Sequence, residues 1–307
     1  PLHDAAEKGH LEVVALLLER GADVHRLDYD TLSPLNYASE KGHLEVVQLL
    51  LDYGAHIDPD DNEMPPPLQN AAKNGHIKVA ELLLTKGAKA QQPNDLGLFP
   101  MVYAARSGHT KMVELLLAEG AFVNPLEGYT EYPLYDASLK GHLEVVKLLL
   151  DWGANAHQLG RTGRFPLHVA AEKGHLEVVR LLLAHRAPID PIVENNRCSP
   201  FLYAAKNDHT EVMKLLLDRG ADVNRLDAEG DTALHKGALQ GNVAMVELLL
   251  ARGVDVHQVN NKGRTALHHA AQKGHIEVAK LLLDRGVHVD QLDYDKFSPL
   301  HEAAKNG

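Results

Sequence analysis

The reading of this chain turns on residues 1–24, PLHDAAEKGHLEVVALLLERGADV. A short helix from about Pro1 turns Leu2, Ala5 and Ala6 to one side, and the small alanines let a neighbouring helix come close. Gly9 suits a left-handed helix end, where a β-carbon adds a steric cost. From Leu11 to Arg20 the chain is apolar over a wide stripe, with Leu11, Val14, Leu17 and Leu18 flanked by Val13 and Leu16. A stripe that broad needs cover from both sides, so one such unit cannot fold alone. Gly21 ends the second helix and an extended excursion follows. Ser33-Pro34 then announces the next helix, an N-cap followed by proline at the first helical position.

The phrase returns along the whole chain. Gly9, Gly42, Gly75, Gly108, Gly141 and Gly174 are 33 residues apart, and the series resumes at Gly241, Gly274 and Gly307. A second glycine keeps step at Gly21, Gly54, Gly87, Gly120, Gly153, Gly220, Gly253 and Gly286. Such a period predicts helix, tight turn, helix and extended loop, repeated as nine helix pairs and a tenth unit that stops after its first helix.

At residues 231–256, DTALHKGALQGNVAMVELLLARGVDV, and 262–289, KGRTALHHAAQKGHIEVAKLLLDRGVHV, the chain closely resembles the ankyrin repeat. That resemblance covers the full length. It implies an all-α solenoid of helix-turn-helix pairs with projecting β-hairpin fingers, in which first (inner) helices and fingers line a concave groove. It also implies function as a protein-binding scaffold. The chain opens on PLHDAAEKGH and closes on SPLHEAAKNG, both inside the motif, and neither end carries an evident polar cap. Residues 1–307 are therefore expected to be a single domain cut from a longer array, monomeric, with end-to-end association through uncapped repeats as the alternative.

Composition narrows the function. A net charge of −11 disfavours generic nucleic-acid binding, which needs a basic face. No apolar run approaches the ~20 residues of a membrane span. The lone Cys198 excludes an internal disulfide and fits a reducing, cytoplasmic setting, with an upstream targeting segment left open. Arg197 beside it would favour the thiolate, but no partner base is identifiable, so an inert loop cysteine is expected.

Histidines recur as His10, His43, His76, His109, His142, His175, His209 and His275 in one phrase. His3, His168, His235, His268 and His301 recur in another. Residues one repeat apart are separated by roughly 8–10 Å, too far to share a metal. Turn-stabilising hydrogen bonds are expected of them, with no metal site and no cofactor. His268 and His269 are adjacent on a helix and do not face each other. No nucleophile elbow, phosphate loop or HExxH motif is present, so no enzyme is expected.

Departures from the repeat point to a partner site. The helix-start Ser or Thr, present at Ser33, Ser199, Thr232, Thr265 and Ser298, is replaced by Pro66, Phe99, Tyr132 and Phe165 in four consecutive units. Phe99, Tyr132 and Phe165 predict an aromatic ladder, either exposed to a partner or packed between repeats. Tyr103, Phe122, Tyr129 and Tyr135 gather nearby, and Val102 and Tyr135 stand where the repeat usually has histidine. The second finger is acidic, whereas the fifth carries Arg161 and Arg164 with no acid. Adding Arg106 on the fourth first helix, the candidate partner-binding set is Phe99, Tyr103, Arg106, Tyr129, Tyr132, Tyr135, Arg161, Arg164 and Phe165. In the seventh unit one residue is inserted between Arg186 and Pro200, and Arg186 and Asp208 replace the two glycines. A kink or irregular repeat is expected near 186–209, as a hinge or as a tolerated loop insertion.

The leading expectation is a non-enzymatic scaffold that grips another protein. The rivals are a sensor or tether within a larger channel, toxin or effector, an engineered binder, and an array linked in cis to an enzyme. Drift in the framework (LLLERGADV, LLLTKGAKA, LLLAHRAPI) favours natural divergence over engineering.

Overall fold

The structure is a computed structural model that describes residues 1–58, 65–124, 132–160, 162–191 and 198–306. Its helices run in chain order as α1 (Leu2–Glu7), α2 (Leu11–Glu19), α3 (Pro34–Lys41), α4 (Leu44–Asp52), α5 (Pro67–Asn74), α6 (Ile77–Thr85), α7 (Pro100–Ser107), α8 (Thr110–Ala118), α9 (Pro133–Lys140) and α10 (Leu143–Asp151). They continue as α11 (Pro166–Glu172), α12 (Leu176–Ala184), α13 (Pro200–Lys206), α14 (Thr210–Asp218), α15 (Ala233–Gln240), α16 (Val243–Ala251), α17 (Ala266–Lys273), α18 (Ile276–Asp284) and α19 (Pro299–Asn306). The chain divides into two compact units, Pro1–Asn155 and Ala156–Gly307. Within each, odd-numbered helices pack on odd and even on even, one pair per repeat.

The alanine pairs and the leucine of each first helix are the floor of this packing. Leu35, Ala38, Ala71, Ala72, Ala104 and Ala105 are fully buried, as are Val47, Val113 and Leu149 on the second helices. Side chains that small allow the close approach of stacked first helices, and the second helices fill the remaining width with Val and Leu.

Histidine supplies the polar seam. The ring of His43 bonds the Glu7 carbonyl at 2.9 Å, His76 that of Glu40 at 2.8 Å, and His109 that of Lys73 at 3.1 Å. Unit two repeats the pattern with His209 on Glu172 and His275 on Leu239. Each bond joins a repeat to an otherwise unpaired carbonyl at the end of the preceding first helix. The ring therefore lies flat against the preceding turn. At Gly42 (φ +79°) an added β-carbon would sit 2.5 Å from His76 Nδ1. Gly42→Ala is expected to cost about 2–3 kcal/mol, part from the left-handed backbone and part from displacing His76. In a Gly42→Ala/His76→Ala double-mutant cycle measured by urea unfolding, the second part should vanish; strict additivity would refute the ring clash.

Helix starts differ as the sequence indicates. The Ser33, Ser199 and Thr232 side chains accept from the amide three residues on, whereas Phe99 and Tyr132 make no such bond. Arg186 and Asp208 both adopt left-handed backbone, φ +62° and +64°, so the turns survive the loss of glycine.

The fingers depart from expectation. Among the described residues no strand forms. The tips are instead closed by pairs of backbone bonds within tight turns: Asp28 N to Leu32 O at 3.1 Å with Thr31 N to Asp28 O at 3.2 Å, Asn94 N to Leu98 O at 3.0 Å with Gly97 N to Asn94 O at 2.9 Å, and Asp227 N to Asp231 O at 3.0 Å with Gly230 N to Asp227 O at 3.1 Å. The reason is local. Side-chain oxygens of the same Asp or Asn residues take up the amides that a β-ladder would pair.

Candidate functional site

The surface of interest comprises the first helices and the fingers that run along them. Asp28 Oδ1 accepts from the amides of Asp30 and Leu32 at 2.9 and 3.0 Å. Asn94, Asp227, Asn260 and Asp293 make the same pair of bonds in their own fingers. In Asp28, Asn94, Asp227 and Asn260 the second carboxyl or amide atom then reaches a first-helix side chain nine residues on, whereas that of Asp293 accepts from Arg264 of the preceding finger. Tyr37 Oη donates to Asp28 Oδ2 at 2.7 Å, and Asn94 Nδ2 donates to Tyr103 Oη at 3.0 Å. Lys236 Nζ meets Asp227 Oδ2 at 2.7 Å, and Asn260 Nδ2 lies 3.4 Å from His269 Nε2. The Asp28 bond, followed by burial, pushes the Tyr37 hydroxyl up to about 12. The Asp28, Asn94, Asp227 and Asn260 fingers are thus braced against their own helices. This bracing was legible as an Asp or Asn nine residues ahead of a polar first-helix position, and sequence reasoning missed it.

The fingertips present apolar side chains. Tyr29 is fully exposed and Leu96 is 73 % exposed, each one or two residues past its bracing Asp28 or Asn94. In unit two Tyr294 follows Asp293 and is likewise exposed.

The residues singled out from sequence fall into different settings. Phe99 and Tyr132 are each only 8 % exposed. Phe99 packs with Leu98, Val102 and the half-buried Tyr103, so that an apolar cluster stands where other repeats bond through histidine. Tyr135 is buried. Arg106 forms a two-point ion pair with the buried Asp136, Nε to Oδ1 at 3.3 Å and Nη2 to Oδ2 at 3.2 Å, joining α7 to α9. Tyr129 and Arg161 lie outside the described residues.

Arg164 and Phe165 belong to unit two. The Arg164 guanidinium pairs with the Glu172 carboxylate, takes Thr162 Oγ1 at 3.0 Å and lies 5.2 Å from the centre of the Tyr203 ring. The half-buried Phe165 stacks on His168, with ring centres 5.7 Å apart. Phe165 N donates to His168 Nδ1 at 3.2 Å, the half of the capping box that needs no N-cap hydroxyl. Burial, then the Arg164 charge, lowers His168 to about 4, against the opposing Cys198 backbone. Burial, then the Asp227 charge, pushes the Cys198 thiol up to about 12, leaving it protonated and unreactive near neutrality.

A charged cluster underlies the fingers further along unit two. Lys236 lies 2.7 Å from both Asp227 and Asp231, Asn260 Nδ2 donates to Asp231 Oδ1 at 2.8 Å, and His269 Nε2 is 3.8 Å from that same oxygen. Burial pushes the Asp231 carboxyl up, but Lys236 and Asn260 more than offset it. One repeat on, Arg264 pairs with the buried Asp293 at 3.0 Å and Glu302 at 2.6 Å.

Against this geometry, a family model for ankyrin repeats in three copies matches residues 68–159, 134–227, 167–260 and 234–307. A second model, for ankyrin repeats in many copies, matches residues 2–51 and 37–84. The chain belongs to the ankyrin-repeat family. A search of curated proteins finds no match to this chain. Ankyrin repeats are in general protein–protein interaction modules and are typically non-enzymatic. Among the described residues of this ankyrin chain, no three His, Cys, Asp or Glu side chains gather to hold a metal, and no helix is long and apolar enough to cross a membrane.

Proposed function

We propose that this ankyrin array binds a partner protein through its fingertips and the exposed edges of its first helices. The observation that supports this reading is the pairing of exposed apolar tips with braced fingers. Tyr29 and Leu96 stand out into solvent on turns held by Asp28 and Asn94, which are themselves tied to Tyr37 and Tyr103. Rigid apolar side chains lose little conformational freedom on binding, which is why such groups anchor interfaces. Tyr103 is the member of the candidate set best placed to contribute, being half-buried and rooted on α7. Phe99, Tyr132 and Tyr135 serve this reading from beneath, as packing that shapes the surface. Arg106 serves it through the Asp136 bridge, and Arg164 and Phe165 through the Glu172–Tyr203 cluster. Tyr129 and Arg161, which lie outside the described residues, remain in the proposed set on their sequence alone.

A photo-crosslinking residue at the exposed position 30 or 95, beside the tips, with position 12 on α2 as control, tests the placement in a cell extract. Adducts specific to the fingers, abolished by Tyr29→Ser with Leu96→Ser, are expected. Equal labelling from α2, or capture unaffected by the double substitution, would count against it.

A further inference from the structure

Four histidines belong to neither of the two recurring series, and they come in pairs. His25 and His56 lie 31 residues apart, at the base of the first finger and of the next. In unit two, His257 and His288 stand in the same two positions, again 31 apart. The flanking sequence repeats as well: Asp23-Val24-His25 matches Asp255-Val256-His257, and His56-Ile57-Asp58 matches His288-Val289-Asp290. The wide spacing between like histidines of successive repeats does not apply to them, because each pair joins unlike positions of neighbouring repeats.

Elsewhere in the array this register carries a backbone clamp. Asp58 accepts from the Lys89 amide at 2.8 Å, Asn124 from that of Asn155 at 2.8 Å, and Asn224 from that of Asp255 at 2.9 Å. At the two histidine positions, ring meets ring. The ring centres of His25 and His56 are 4.1 Å apart with 42° between their planes, and those of His257 and His288 are 6.0 Å apart with 38°. The backbone beneath the first ring of each pair is pinned, since Asp23 and Asp255 accept the amides of His25 and His257 at 2.9 Å.

These separations suit a shared ion. Zinc held about 2.0–2.1 Å from one nitrogen of each of two imidazoles, at a tetrahedral angle, places the ring centres roughly 5 Å apart. The two pairs fall on either side of that value, within about 1 Å of it. All four histidines are exposed, so rotation about the Cβ–Cγ bond can aim a nitrogen of each ring at one point without disturbing the core. Space is available too. Val259, Val287 and Gln291 join His257 and His288 around a cavity of about 350 Å³, against roughly 30 Å³ for a water molecule.

We propose that His25 with His56, and His257 with His288, are two zinc-binding sites, one in each compact unit. Each holds the ion through two imidazole nitrogens, and water fills its remaining positions. These sites are separate from the fingertip surface and do not depend on it.

Zinc chloride titrated calorimetrically into the whole chain, in a buffer that does not bind the metal, tests the assignment. Two equivalents should bind. His25→Asn and His257→Asn should each remove one of them, with affinity at the altered site falling at least about tenfold, and the double variant should lose both. Asparagine already occupies this position as Asn124 and Asn224, where it clamps the next amide, so the fold accepts it. His56→Asn, which alters the other ring of the first pair, should match His25→Asn, and His10→Asn, outside both pairs, should leave two equivalents in place. Circular dichroism checks that each variant is folded. Zinc uptake unchanged in the double variant would mean that other histidines take the metal, and would overturn the proposal. So would the absence of saturable binding by the unaltered chain, whose paired rings would then only pack on one another.

Discussion

Replacing Lys236 by methionine is expected to destabilise unit two by about 3 kcal/mol, read as the shift in its urea unfolding midpoint. The Nζ atom lies 2.7 Å from both Asp227 and Asp231, and all three side chains are at least five-sixths removed from solvent. Methionine keeps the volume but leaves two facing carboxylates without their shared cation, and the cost of an unpaired buried charge outweighs the lost contacts. Asn260 satisfies only one of the four carboxylate oxygens involved. Changing both aspartates to asparagine in the Lys236→Met background should recover most of the loss, because it removes both charges and because Asn94 and Asn260 already perform the turn role of Asp227 in their own fingers. Failure to recover would show that Lys236 acts through packing of its stem rather than through charge.

Acidification should have a comparable effect through His168 and His269. An unfolded imidazole protonates near 6.5, whereas both of these are held to about 4, chiefly by burial. For His269, the nearby His235, Arg264 and Lys236 add to burial and Asp231 opposes it. Between those two values the unfolded chain binds more protons than the folded one. Stability is therefore fully present above 6.5 and is lost as the pH falls towards 4. By about pH 4.5 each histidine should cost roughly 2–3 kcal/mol. His168→Gln should remove about half of this dependence. Gln69 shows that the array accepts glutamine in this register, since its amide donates to the Gln92 and Leu98 carbonyls at 3.1 Å each. An unchanged pH slope in His168→Gln would place the titration elsewhere.

The helix pair and its turn glycines were legible in residues 1–24, and the repeat in their recurrence along the chain. They are enforced by short-range effects: a 33-residue period, a broad apolar stripe, and left-handed turns that glycine adopts without strain. Even the substituted turns at Arg186 and Asp208 follow from that local logic. The histidine seam was foreseen in kind, as hydrogen bonding, although not in its partners.

What tertiary structure alone decided was which departures from the repeat face outward. Phe99 and Tyr132 announce themselves by replacing an N-cap, yet they lie buried, Phe99 because its ring meets Leu98 and Val102 before it meets water. Arg106 and Arg164 look like free cations in sequence, but Asp136 and Glu172 lie 30 and 8 residues further on and are brought to them only by packing. Conversely, Tyr29, Leu96, Phe122 and Trp152 break no capping rule, and their exposure shows only once the helices are stacked. Periodicity determines where each side chain is attached; burial and charge pairing depend on what the neighbouring repeat places opposite it.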